Sequence, residues 1–123
     1  MLFRSCHRNA KSLEIVQSFH QADVFVSSSR FETFGVAMAE AMAMGLPILA
    51  TPTDGAKDIL TAETSILLSD ITVAALTEGL KKIYLEHQNF DAQKIRQHVL
   101  SRFDEQIVAK QYLEIYQKTV KPD

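Results

Sequence analysis

Two apolar runs separated by a helix-forming segment constrain the fold of this chain more than any other feature. Residues 22–26 (ADVFV) and residues 47–51 (PILAT) each have the length and composition of a strand. Continuous apolar runs of this kind are typical of strands that are buried on both faces of a parallel sheet. Between them, residues 33–44 are rich in Ala and Met and predict a helix that ends at Gly45. Strand, helix and strand in this order predict an α/β fold.

The flanking segments extend this pattern. Residues 52–55 predict a turn, residues 56–60 a short helical stretch and residues 65–68 a third strand. Upstream, apolar residues at helical spacing predict a helix, and a strand is possible at residues 1–3. That helix is indicated by Leu13, Val16 and Phe19, with Asn9 as its cap.

The chain changes character after Asp70, where apolar stripes predict three packed helices. Asp104 is suited to cap the last of them. The stripes consist of Val73, Leu76, Leu80, Ile83 and Tyr84, then Ile95 and Val99, then Val108, Tyr112, Ile115 and Tyr116. We therefore predict one domain over residues 1–123, with an α/β part at 1–70 and helices at 71–123. Its sheet is a partial, Rossmann-like parallel sheet flanked by helices.

Composition narrows the classes of function. The formal net charge is -2, so no general basic field is available to bind nucleic acid. No apolar run approaches the roughly 20 residues that span a bilayer. Residues 1–10 lack the apolar core of a signal peptide, and Cys6 is the single cysteine. The cytoplasm is therefore the expected location, while peripheral contact with a membrane stays open.

The segment 29–35 joins the first strand to the helix, at the edge of a parallel sheet where α/β proteins bind ligands. The backbone N–H groups of Thr33, Phe34 and Gly35 are expected to be free to hold an anion at the helix start. Gly35 lacks a side chain and would let a phosphate approach closely. Asp54 and Gly55 are first of all a turn, with a second loop facing the same crevice as the alternative.

Two glutamates frame this helix start. Glu40 lies among alanines and methionines, so partial burial is expected, and ribose hydroxyls are suitable partners for a buried carboxylate. The step from Glu32 to Glu40 spans about 12 Å along a helix, the right order for a nucleotide with its phosphates at one end. An ion pair with Lys or Arg is an equally good account of Glu40. A plain first-turn acid is the alternative for Glu32.

Taken as a block, residues 22–26, 29–35, 40–48 and 50–51 resemble the carboxy-terminal domain of retaining GT-B glycosyltransferases of group 1. The two glutamates match that family's pair, with seven residues between them. The resemblance implies that Glu32 is the catalytic residue that contacts the donor sugar, and that Glu40 binds the ribose.

The resemblance further implies a substrate and its backbone contacts. The amides around Thr33, Phe34 and Gly35 would hold the diphosphate of a UDP- or GDP-sugar. The family needs no bound metal, and no cofactor is expected. The Cys6–His7 pair likewise has no second pair at metal-ligand spacing, so no metal site is predicted.

Departures from the family pattern limit these expectations. Ser28 replaces a usual proline, and Thr33 and Asp54 replace frequent glycines. The family's basic Arg and Lys pair, which neutralises the diphosphate, is not matched by the basic residues Arg4, Arg8 and Lys11. The acceptor-binding amino-terminal domain is not recognised either, so a separate domain or partner chain is expected.

We therefore expect a nucleotide-sugar-binding portion of a glycosyltransferase that is inactive by itself. The alternative is a non-catalytic nucleotide-binding or assembly module, and a third interpretation is an unrelated doubly wound domain in which Glu40 is ion-paired. Without the family's preceding strands, the strand at 22–26 would be an exposed apolar edge, which predicts self-association.

Overall fold

The computed structural model describes residues 12–119 of the chain. The possible strand at residues 1–3 and the residues Asn9, Cys6 and His7 lie outside the described residues. The elements are α1 (Ser12–Gln21), β1 (Phe25–Ser27), α2 (Val36–Ala43), β2 (Ile48–Ala50), α3 (Asp54–Ile59), β3 (Ser65–Leu67), α4 (Val73–Glu86), a 3₁₀ turn (His87–Asn89), α5 (Ala92–Phe103) and α6 (Glu105–Thr119).

The three described strands form a parallel sheet in the order β1-β2-β3. Ile48 of β2 is level with Phe25 of β1 and with Ser65 of β3. All of β2 is buried because it lies between the other two strands and has helices on both faces. The predicted α/β architecture, with a partial parallel sheet and a helical last third, is confirmed.

The core consists of two apolar clusters, one on each face of the sheet. On one face, α2, α3 and α5 pack around β2, with Met38, Met42 and Ile95 fully or almost fully buried. On the other face, Leu49 packs with Leu68 and with Ile83 of α4. The sheet is therefore a middle layer, and its carboxyl edge is left for the loops that lead into α2 and α3.

Burial of β1 on both faces is a wrong prediction. The strand begins only at Phe25, and its middle residue Val26 is 37% exposed. Helix α4 packs against β2 on the face to which Val26 points, so the β1 side of that face has little cover. Within residues 12–119, β1 is also the outer strand of the sheet, while the exposed edge expected of the whole chain stays a prediction.

The apolar stripes of the last third are only partly core. Ile83, Ile95 and Val99 are buried as predicted. Val73 and Tyr84 of α4 are exposed instead, and so are Tyr112 and Ile115 of α6. An apolar stripe predicts which side chains share a helix face, whereas burial also requires a second element to cover that face. Asp104 caps α6 as predicted, since its carboxylate accepts from the Gln106 N–H at 3.0 Å.

Candidate functional site

Two loops leave the carboxyl ends of neighbouring parallel strands and lie side by side. We call residues 28–35, between β1 and α2, the first junction, and residues 51–53, between β2 and α3, the second junction. Thr51 is buried, and its hydroxyl donates a hydrogen bond to the Ser29 carbonyl at 2.5 Å. The Thr51 N–H also donates to the Ser27 carbonyl at 3.0 Å. The second junction thus holds the beginning of the first.

Gly55 of α3 holds the middle of the first junction. Its N–H donates to the Glu32 carbonyl at 2.7 Å. A Cβ atom at Gly55 would lie 2.9 Å from the Phe34 carbonyl carbon and 3.0 Å from the Glu32 carbonyl oxygen, so this approach requires glycine. The prediction of a turn over residues 52–55 is wrong for Asp54 and Gly55, because both belong to the first turn of α3 and Thr53 caps that helix. Gly55 lies against the first junction, whereas the alternative interpretation of the pair as a loop that faces a ligand crevice stays a prediction.

Helix α2 begins later than predicted. Its first residue is Val36, and Gly35 is its N-cap with φ 81° and ψ 51°. A left-handed residue interrupts a right-handed helix, so Thr33 and Phe34 precede α2 instead of forming its first turn. Gly35 is needed here for its backbone conformation, because L side chains rarely adopt this φ.

The amides of the first junction differ from one another. The Gly35 N–H, predicted to be free, donates to a carboxylate oxygen of Glu32 at 3.2 Å. Within residues 12–119, the Thr33 and Phe34 N–H groups have no acceptor. The first α2 amide with an acceptor in this turn is that of Ala39, which donates to the Gly35 carbonyl at 3.0 Å. Among the described residues, the amides of residues 36–38 therefore have no acceptor at the positive end of the helix.

The two glutamates occupy different surroundings. Glu32 is half-buried, and its carboxylate lies against the helix start. Glu40 is exposed, so the expectation of partial burial is wrong. The Ala and Met residues around Glu40 in sequence include Met38, Ala41 and Met42, which point to the core on other sides of α2. The residues next to Glu40 in sequence therefore do not surround its carboxylate in the structure.

The ion-pair alternative for Glu40 finds no support among the described residues. The salt bridges of residues 12–119 join Lys81 to Glu78 and Arg102 to Asp58, and neither involves Glu40. Its carboxylate is thus available to a ligand from the solvent. The same part of the chain contains no group of three or more His, Cys, Asp or Glu residues placed to hold a metal ion.

Aromatic side chains surround the first junction. Phe31 is 92% exposed, whereas Phe34 lies edge-to-face against Phe103, with ring centroids 5.2 Å apart. Phe103 lies at the end of α5, far from Phe34 in sequence, and no local pattern indicates this contact. The contacts of Thr51 and Phe103 with the first junction were not identified from the sequence, because both join distant segments.

Residues 7–86 match the sequence profile of a family described as "Glycosyl transferases group 1". The chain is 32% identical over 100 residues to 2-deoxystreptamine N-acetyl-D-glucosaminyltransferase of Niallia circulans, covering 79% of this chain and 26% of that protein. It is 27% identical over 106 residues to glycogen synthase of Mycobacterium tuberculosis, covering 84% and 26%.

Two solved structures share the fold of this chain. Sucrose-phosphate synthase from Thermosynechococcus elongatus aligns with a TM-score of 0.75 and 25% identity, over 85% of this chain and 27% of that chain. The catalytic domain of starch synthase IV from Arabidopsis thaliana aligns with a TM-score of 0.70 and 18% identity, over 90% and 25%. The chain thus spans about a quarter of the length of these proteins. No helix among residues 12–119 combines the length and apolarity needed to cross a membrane.

Proposed function

Because this chain belongs to the group 1 glycosyl transferases, we propose that it forms the nucleotide-sugar-binding wall of a glycosyltransferase. The observation that carries this proposal is the first junction. It combines open backbone amides, a glycine N-cap and a glutamate at the carboxyl end of a parallel strand. That arrangement suits an anionic ligand, because amides and the helix dipole both favour negative charge.

We assign the diphosphate of the donor to the amides of Thr33 and Phe34 and to those that open α2. The expectation that Gly35 lets a phosphate approach closely is not kept, because Gly35 is buried and the Met38 Cε atom fills the space where its Cβ would lie. The Gly35 N–H is already paired with Glu32. Glu32 is the proposed catalytic residue, and its free carboxylate oxygen is the group expected to contact the donor sugar.

Glu40 is the proposed ribose ligand. A carboxylate accepts hydrogen bonds from two neighbouring hydroxyls, and Glu40 has no competing ion pair within residues 12–119. Because α2 begins only at Val36, Glu40 lies about 7.5 Å along the helix from Gly35, at ~1.5 Å for each residue, which is shorter than the step of about 12 Å expected for a helix that already includes Glu32. The donor is proposed to be a UDP- or GDP-sugar lying along α2.

We further propose that binding needs no metal ion, since the helix start supplies part of the positive potential for the diphosphate. Unchanged nucleotide affinity after EDTA treatment is the expected result. Because the chain spans about a quarter of its relatives, we also propose that it binds the donor without transferring the sugar. Sugar transfer catalysed by the purified chain would contradict this part.

Calorimetry with UDP- and GDP-sugars tests the proposal. We expect Glu40→Ala to weaken binding about tenfold or more, because hydrogen bonds to a charged group contribute roughly 1.5–3 kcal/mol. Glu63→Ala is the matched control: Glu63 is also exposed, and its loss changes the net charge equally. Both variants are expected to keep the wild-type free energy of unfolding within about 0.5 kcal/mol. Absence of binding by the wild type, or equal affinities of the two variants, would reject the site.

The edge position of β1 favours a second candidate, an assembly module completed by another copy or a partner chain. Val26 is 37% exposed, and β1 has a free edge within residues 12–119. An apolar edge strand presents backbone groups that pair readily with another strand. We expect light scattering to detect dimers that Val26→Lys abolishes, while Val73→Lys on the exposed side of α4 does not. A monomeric wild type at high concentration would eliminate this candidate.

A further inference from the structure

We infer that Phe103 is a positioning residue for the first junction, holding the donor-binding segment in place through the ring of Phe34. The inference rests on the proposed function for the identity of what the junction binds. The physical basis is the edge-to-face contact between these two rings, at 5.2 Å and an interplanar angle of 83°. Aromatic pairs in this geometry stabilise more than their buried area alone accounts for.

Phe34 is well placed to transmit such a contact. It lies between Glu32 and Gly35, the two residues that the carboxylate–amide hydrogen bond joins. Its backbone also lies against Gly55, where the Glu32 carbonyl accepts a hydrogen bond. Movement of Phe34 must therefore disturb both hydrogen bonds of Glu32. Phe34 is 44% exposed, and the ring of Phe103 covers part of it.

Phe103 can act as a support because α5 is fixed to the rest of the domain. Arg102 donates to the Asp58 carbonyl at 2.7 Å, and its guanidinium lies 5.0 Å from the centroid of the Phe103 ring. His98 bonds to the Ile59 carbonyl at 2.8 Å, and Arg96 donates to the Ala43 carbonyl at 3.1 Å. Helix α5 is thus attached to the carboxyl ends of both α2 and α3, the helices that follow the two junctions.

The first experiment measures amide hydrogen exchange by NMR in the wild type, Phe103→Ala and Phe103→Tyr. The Gly35 and Gly55 N–H groups report on the two hydrogen bonds of Glu32, and the Phe25 N–H, bonded to Pro47, is the internal reference. We expect Phe103→Ala to accelerate exchange at the two glycines relative to Phe25 by roughly two- to tenfold. Phe103→Tyr keeps the ring and is expected to restore the wild-type rates.

Ile83→Val is the control for a general loss of stability, because Ile83 is fully buried in the cluster on the opposite face of the sheet. It is expected to leave the ratio of the glycine rates to the Phe25 rate unchanged. An equal increase in Ile83→Val, or no increase in Phe103→Ala, would overturn the inference. If Phe103→Ala does not fold, Phe103→Leu, which keeps apolar bulk without the ring, is held to the same criteria.

The second experiment measures UDP and GDP affinity of the same variants by calorimetry. We expect affinity to fall roughly two- to tenfold in Phe103→Ala and to be restored in Phe103→Tyr. Faster exchange with unchanged affinity would overturn the role of Phe103 in donor binding. If the wild type binds neither nucleotide, the proposed function fails, while the exchange rates still decide whether Phe103 positions the junction.

Discussion

The two junctions occupy equivalent places at the ends of neighbouring strands, yet they are built in opposite ways. The second junction is short and buried: Thr51 and Thr53 are 2% and 5% exposed, and the Thr53 hydroxyl accepts from the Ala56 N–H at 3.3 Å. The first junction is longer and largely exposed. Its helix begins at Gly35 without a side-chain cap.

The difference concerns the backbone amides at the two helix starts. In the second junction, a side chain of the protein itself satisfies an amide of the helix start. In the first, the amides of Thr33, Phe34 and the opening residues of α2 lack acceptors within residues 12–119. Both junctions thus lie at the same edge of the sheet. The first junction differs in having several backbone N–H groups without an acceptor among the described residues.

The largest expected effect comes from Gly55→Ala, which would remove the close contact that makes the second junction a support for the first. The added Cβ would meet backbone atoms of Phe34 and Glu32, and backbone cannot rotate away as a side chain can. We expect the free energy of unfolding to fall by about 1–3 kcal/mol in urea denaturation. The exposed neighbour Lys57→Ala should change it by less than about 0.5 kcal/mol. Equal stability of the two variants would contradict the contact.

A smaller effect is expected from Gly35→Ala. The left-handed conformation costs an L residue about 1–2 kcal/mol, and the free energy of unfolding should fall by that amount. The new Cβ would also meet the Met38 Cε atom, which is the flexible end of a side chain and can move. Gly35→Asn is the matched control, since Asn tolerates this conformation better. If Ala and Asn prove equally stable at position 35, the left-handed cap is incorrect.

The smallest effect is expected from Thr53→Ala, which would make the helix start of the second junction resemble that of the first. Loss of a side-chain cap typically costs about 1 kcal/mol of stability. Thr53→Ser retains the hydroxyl and should retain most of the stability when both variants are compared by thermal denaturation. A serine variant that is as unstable as the alanine variant would assign the effect to packing of the buried methyl group instead of the cap.

The sequence predicts the order of elements well, because continuous apolar runs and helical periodicity are local properties. β2, β3 and the buried residues of α5 follow from them. The start of α2 does not follow from these properties. Gly35 adopts a left-handed conformation and its N–H donates to the Glu32 carboxylate, and the pattern of apolar residues indicates neither feature. Burial of β1 failed for a similar reason, since cover over Val26 depends on where α4 packs.

The candidate site likewise has features that the sequence predicts and features that it does not. Glu32, Gly35 and Glu40 are recognisable from spacing and residue type, and their assigned roles stay predictions. The exposure of Glu40 was not recognisable, because Ala and Met neighbours in sequence point to other sides of the helix. The ring contact of Phe34 with Phe103 joins segments far apart in sequence, and no local pattern encodes it.

The attachment of α5 to the ends of α2 and α3 has a consequence for the order in which the native state opens. Arg96, His98 and Arg102 join segments far apart in sequence, so α2, α3 and α5 are expected to lose protection from solvent as one cooperative unit. Helix α6 contacts mainly α5, and its Tyr112 and Ile115 are exposed. It should open earlier and by itself, leaving the unit of α2, α3 and α5 folded.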